Sequence, residues 1–142
     1  MKTDHVAKAA ISINADPEKV WDALTNPALI KQYLFGTEAR SDWKKGSPIT
    51  YRGVWEGKAY EDKGVIKDIV PGKLLVSTYW SSMSGKPDTP DQYNTVTYEL
   101  TRTSGQTTLT VTQDNNPTQE SADHSTKNWT SVLQTIKALL EK

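Results

Sequence analysis

Ile11-Ser-Ile13-Asn-Ala-Asp16-Pro17-Glu-Lys-Val20-Trp21-Asp-Ala-Leu24-Thr-Asn26-Pro27-Ala-Leu29-Ile30-Lys-Gln-Tyr33 closes a strand and then spells one helix-start signal twice, at Asp16-Pro17 and Asn26-Pro27. Upstream, Ala7, Ala9, Ile11 and Ile13 alternate with Lys8, Ser12 and Asn14, the period of a half-buried strand. Asp16 can cap a helix whose first position is Pro17, where the missing N–H costs nothing. Val20 and Leu24 share a face that Trp21 extends. Asn26-Pro27 ends this helix and starts a second, carrying Leu29, Ile30 and Tyr33. Neither helix is long enough to stand alone, so the pair must pack on something larger.

From Phe35 to Asn115 the pattern is strand, turn, strand. Ile49, Tyr51 and Trp55 oppose Thr50, Arg52 and Val54, and Glu56-Gly57-Lys58 reads as a hairpin turn. Gly64 to Val70 reads as a strand ending at the turn pair Pro71-Gly72. Leu74 to Trp80 is another, with either Leu74, Val76, Thr78 and Trp80 or Leu75, Ser77 and Tyr79 facing inward. Ser81 to Gln92 is a polar loop long enough to serve as a gating flap. Val96 to Leu100 and Thr108 to Gln113 alternate around the Ser104-Gly105 turn. After Asn115-Asn116-Pro117 the period becomes helical: Trp129, Val132, Leu133, Ile136, Leu139 and Leu140 form one stripe, which upstream turns small and polar at Ala122, Ser125 and Thr126.

The order is β, α, α, about six strands, then one long helix. Short connections make the strands an antiparallel meander, with the first joining at the edge beside the last. The expected architecture is α+β: a curved antiparallel sheet wrapped around a long C-terminal helix, with two short helices after the first strand. Such a grip leaves a gap. Small-ligand pockets run about 300–1,000 Å³. At about 24 cal/mol per Å³, even the small end would cost roughly 7 kcal/mol if empty. Domains are stable by only about 5–15 kcal/mol, so a real cavity must be wet, occupied or narrowed by large side chains.

The 142 residues suit one domain spanning 1–142. Cysteine is absent, which removes disulfides, thiolate nucleophiles and cysteine-ligated zinc and agrees with a cytoplasmic location. The N-terminus carries no signal-peptide stretch, and no apolar run is long enough to span a bilayer. Seventeen basic and 17 acidic residues balance, so no basic field draws nucleic acid or anionic lipid. Five Trp and six Tyr stand beside one Phe; such residues suit walls that are apolar yet able to hydrogen-bond.

Catalytic and metal signatures are missing. His5 and His124 lie far apart without ligand spacing and read as surface residues, His124 with some reach toward a cavity mouth. Ser81-Ser82-Met83-Ser84-Gly85 lacks a nucleophile elbow. Glu56, Glu61 and Asp62 read as exposed turn charges, and Arg52 and Glu99 as solvated. The candidate ligand-binding residues are Tyr51, Trp55, Tyr79, Tyr98 and Gln113 from strands, Ser125, Trp129 and Leu133 from the last helix, and Tyr33 and Phe35 at the rim. Catalytic residues, metal and cofactor are each read as none.

The segment Asp16–Pro27 resembles the opening of the helix-grip superfamily, which includes StAR-related lipid-transfer domains, polyketide cyclases and the birch-pollen allergen. Gly64-Val-Ile-Lys-Asp-Ile-Val-Pro71 followed by Leu74, then Thr95–Leu100, Thr108–Gln113 and Trp129 with Val132-Leu133, resemble the branch named after the C-terminal domain of the activator of the heat-shock-protein-90 ATPase. The resemblance implies the helix-grip fold and a cavity between sheet and C-terminal helix. Because the chain begins at the first strand, without the activator's chaperone-binding domain, it points to a binder of a small hydrophobic or aromatic, lipid-like molecule. The alternatives are a cyclase- or hydrolase-like enzyme using the same cavity and a chaperone-related interaction module. Expected partners are that small molecule, neither nucleic acid nor membrane, and at most a protein partner, with the chain a monomer or weak dimer.

Overall fold

The computed structural model describes residues 5–34, 36–55, 57–81 and 87–141, the side chain of Trp55 excepted. The elements are β1 (His5–Ile13), α1 (Pro17–Thr25), α2 (Pro27–Tyr33), β2 (Glu38–Ser41), β3 (Pro48–Trp55), β4 (Lys58–Val70), β5 (Leu74–Ser81), a short 3-10 turn (Pro90–Gln92), β6 (Asn94–Thr103), β7 (Gln106–Asn116) and α3 (Gln119–Leu140). All seven strands pair antiparallel in the order β1-β7-β6-β5-β4-β3-β2. The expected α+β helix grip is therefore the observed one, with β1 at the edge beside β7.

Two details differ from the sequence reading, the cap of α1 and the start of β4, while the cap of α2 agrees with it. Asp16 makes no side-chain cap on α1; its carbonyl accepts from the Lys19 and Val20 N–H groups instead. Asn26 does cap α2, its Oδ1 accepting from Ala28 N at 3.0 Å. Strand β4 starts at Lys58 rather than Gly64, because Lys58 to Lys63 pair with Trp55 to Thr50 of β3. The run Tyr60-Glu61-Asp62-Lys63 is too polar for alternation to reveal it.

The phase of β5 is resolved. Leu75 and Ser77 are buried, so Tyr79 in the same phase also points to the concave side, while Trp80 lies on the outer face. There Trp80 stacks near Tyr93 with ring centroids 6.3 Å apart, and Lys63 Nζ sits 5.5 Å from its ring.

Gly64 is where β4 and β5 press closest. A Cβ at this position would lie 1.7 Å from the carbonyl oxygen of Thr78. Beside it, Val65 N donates to Thr78 Oγ1 at 2.8 Å. A glycine within a strand marks such close backbone approach.

Helix α3 lies along β1, with lighter contact to β7. Its Leu133, Ile136 and Leu140 join Ala9, Ile13, Leu109 and Val111 in the core, and Val20, Ala23, Leu24 and Ile30 of the short helices close one end. Lys19 Nζ donates to the Leu140 carbonyl at 3.0 Å, where a cation suits a helix C-terminus. Lys137 Nζ donates to Ser12 O at 2.8 Å, and Asn14 N donates to Glu141 at 2.9 Å. The helix is thus fastened over one edge of the sheet, along β1 and β7. Among the described residues, no helix is long and apolar enough to cross a membrane.

Candidate functional site

Strand pairing gathers the tyrosines. Tyr51 of β3 stands opposite Asp62 of β4. Asp62 stands opposite Ser81 of β5, with Tyr79 two residues away in the same phase. Tyr98 of β6 faces Leu75 on one side and Val111 on the other. Tyr33 arrives from the end of α2 with 7% of its surface exposed. Burial pushes all four phenols well above the ordinary tyrosine value, and the groups also act on one another: Tyr51 on Tyr33, and Tyr51, Tyr33 and Tyr79 on Tyr98. Asp62 is the second cause at Tyr51 and at Tyr79. Four sequence-predicted residues from four separate elements therefore share one neighbourhood.

Asp62 belongs to it as well, contrary to its reading as an exposed turn charge. Tyr79 OH donates to Asp62 Oδ2 at 2.7 Å. The other oxygen, Oδ1, is sealed from water and has no hydrogen-bond partner. The missed signal was the period of β4, which places Asp62 in phase with Gly64 and Ile66, both buried. Spacing from the Glu56-Gly57 turn suggested solvent instead.

The hydroxyls of Tyr33, Tyr51 and Tyr98 bond to nothing among the described residues, yet they are not among the sealed, unpartnered polar atoms. Tyr51, Tyr79 and Tyr98 also keep part of their surface accessible.

A second group is bound up in itself. Trp129 Nε1 donates to Gln113 Oε1 at 2.9 Å. Gln113 Nε2 donates to Asn116 Oδ1 at 3.0 Å and lies 3.5 Å from Ser125 Oγ. Ser125 Oγ donates to Asn116 Oδ1 at 3.3 Å, and Asn116 Nδ2 donates to His5 O at 2.9 Å. This network joins α3, β7 and β1. Trp129 then meets Tyr98 edge to face, with centroids 5.8 Å apart, so its ring touches the tyrosine group while its N–H serves the network. Trp129→Phe, which keeps a ring but strands Gln113 Oε1, is expected to cost about 1–2 kcal/mol, read as a lower urea midpoint at unchanged m. Leu133 is fully buried in the core. Phe35 and the side chain of Trp55 lie outside the described residues.

Elsewhere, His124 is exposed on the outer side of α3, where Thr118, Ser121, Asp123 and Lys127 border an open hollow of about 600 Å³. Another hollow, of about 430 Å³, lies between Pro27 and strands β2 and β3, lined by Ala39, Arg40 and Thr50. Both are shallow surface depressions, and neither is lined by the tyrosines. Among the described residues, no cluster of His, Cys, Asp or Glu could hold a metal ion.

A curved antiparallel sheet gripping one C-terminal helix, with an aromatic concave face, defines a helix-grip protein. This chain belongs to the family described as activator of Hsp90 ATPase homolog 1-like protein, whose model matches residues 14–141. It is similar to a Cytophaga hutchinsonii protein of known solution structure, with 45% identity over 99% of this chain and 97% of that one at a TM-score of 0.87. The Aha1 dimer from Colwellia psychrerythraea shares the fold at 21% identity and TM-score 0.74, over 96% of each chain. DynU16, a protein of the dynemicin biosynthetic locus, shares it at 18% identity and TM-score 0.80, over 99% of this chain and 48% of that one. No curated protein matches.

Proposed function

We propose that this chain is a single ligand-binding domain, acting in the cytoplasm, that holds a small hydrophobic or aromatic molecule in the cleft between its sheet and α3. The observation that carries this reading is the convergence of Tyr33, Tyr51, Tyr79 and Tyr98, with free hydroxyls at three of them, on the concave face. Ring surfaces would supply affinity by apolar burial at about 25 cal/mol per Å², and the free hydroxyls would orient the guest. Gln113, Ser125 and Leu133 then act as the frame that holds Trp129 and α3 in place.

Native mass spectrometry of the protein purified from its own host is expected to show a retained small molecule. A library of lipids and polycyclic aromatics is expected to raise the melting temperature by mass action, by about 2.7 kcal/mol of stabilisation at a hundredfold excess over Kd. Finding no retained mass and no shift across the whole library would overturn the reading.

A second reading is a cyclase- or hydrolase-like catalyst, favoured by one observation: a carboxylate paired with a phenol, Asp62 with Tyr79, inside the same cleft. Turnover of a cyclisable polyketide-like substrate that stops with Asp62→Asn would select it. The dimer of the Colwellia relative supports at most a weak dimer here.

A further inference from the structure

We propose that the cleft selects ligands bearing a primary ammonium, with Asp62 as the anchor that receives it. This rests on the cleft reading above and names the chemistry of the head group the cleft takes.

The first ground is the free oxygen. A buried polar atom without a partner is costly, more so when it belongs to a charged group. Asp62 Oδ1 is such an atom, while Oδ2 already accepts from Tyr79. A carboxylate oxygen only accepts, so what completes it must be a donor. The torsion that turns an aspartate carboxylate is broad and soft, so the group can turn to meet a donor, exchanging which oxygen Tyr79 serves.

The second ground is the absence of a counter-ion. The nearest cations in the sheet are turned to the outer face and engaged there. Lys63 Nζ pairs with Asp88 at 2.6 Å, and Arg52 Nε pairs with Glu61 at 2.5 Å. Among the described residues no lysine, arginine or histidine reaches Asp62. A ligand ammonium supplies donor and opposite charge together.

The third ground is what surrounds the carboxylate. Tyr51 pairs across from it and Tyr79 donates to it, so the carboxylate stands among aromatic rings, whose faces attract cations. A carboxylate beside aromatic rings favours an ammonium over a neutral hydroxyl, which would gain only the hydrogen bond. A quaternary ammonium would gain only the ring faces, having no N–H for Oδ1.

The test is calorimetric titration of the whole chain with 2-phenylethylammonium, 2-phenylethanol and benzyltrimethylammonium, repeated on Asp62→Asn. Asparagine keeps the shape and an acceptor for Tyr79, and circular dichroism with a thermal melt checks that this variant folds. The primary ammonium is expected to bind at least tenfold tighter than either probe, and Asp62→Asn is expected to erase that advantage. If the alcohol binds as well as the ammonium, or the preference survives Asp62→Asn, the inference is overturned while the cleft reading stands. If neither these probes nor the lipid and aromatic library binds, both fall. The wild-type ranking alone decides the matter should Asp62→Asn not fold.

Discussion

Gly64→Ala is expected to destabilise the protein by about 3 kcal/mol or more, lowering the melting temperature by about 10 °C for a chain of this size. The added Cβ would sit 1.7 Å from the Thr78 oxygen and 2.5 Å from its carbonyl carbon. Both are backbone atoms, so no side-chain rotation relieves the clash. On the opposite side Gly64 pairs with Ile49 of β3, which is fully buried, so β4 cannot slide away cheaply. Gly53 provides the comparison. Its added Cβ would meet the hydroxyl end of Tyr60 at 2.4 Å, a side chain that can swing aside, losing its hydrogen bond with Thr37. Gly53→Ala should therefore cost about 1–2 kcal/mol, clearly less than Gly64→Ala. Urea unfolding of the two variants in parallel checks the order. A Gly64→Ala protein as stable as the parent would show that the strands do not pinch here.

The same strand shows how far the sequence can be read. Periodicity alone identified β1, the two proline-started helices, the meander and the stripe of α3, because each has one face in the core and one outside. It failed where that rule fails. The first half of β4 carries charges on both faces, so nothing marked Tyr60 to Lys63 as strand, and Asp62 was assigned to solvent. In β5 every position is apolar or small enough to fit either face, and only pairing with Val96 and Tyr98 decides that Leu75, Ser77 and Tyr79 look inward. The tyrosines were legible as candidates by residue type and phase. Their mutual approach was not, since it depends on the pairing registers from β3 to β6 and on where α2 ends. Nor could sequence say that Gln113 and Ser125 spend their hydrogen bonds on Asn116 and Trp129: that follows from Asn115 taking a positive φ of 55° at the end of β7, which turns Asn116 toward α3.

Raising the pH should unfold this protein abruptly. An exposed phenol titrates near 10, whereas burial holds Tyr33, Tyr51, Tyr79 and Tyr98 well above that in the folded state. Below pH 10 both states keep their phenolic protons and the folded state has its full stability. Above it, the unfolded chain releases protons that the folded chain retains, so stability falls as pH rises. Each such group removes about 1.4 kcal/mol per pH unit. Together the four remove roughly 5 kcal/mol per pH unit, enough to exhaust about 5–15 kcal/mol of stability within about one to three pH units above 10. Phenolate absorbance should accordingly rise in a cooperative step that coincides with loss of the far-ultraviolet dichroism signal. Tyr98→Phe, which removes one phenol with no hydrogen bond to lose, should move that midpoint upward and reduce the slope by about a quarter. A gradual rise in phenolate centred near 10 with the fold intact would mean that the four rings stand in open water, and the cleft they are said to wall would lose its physical basis.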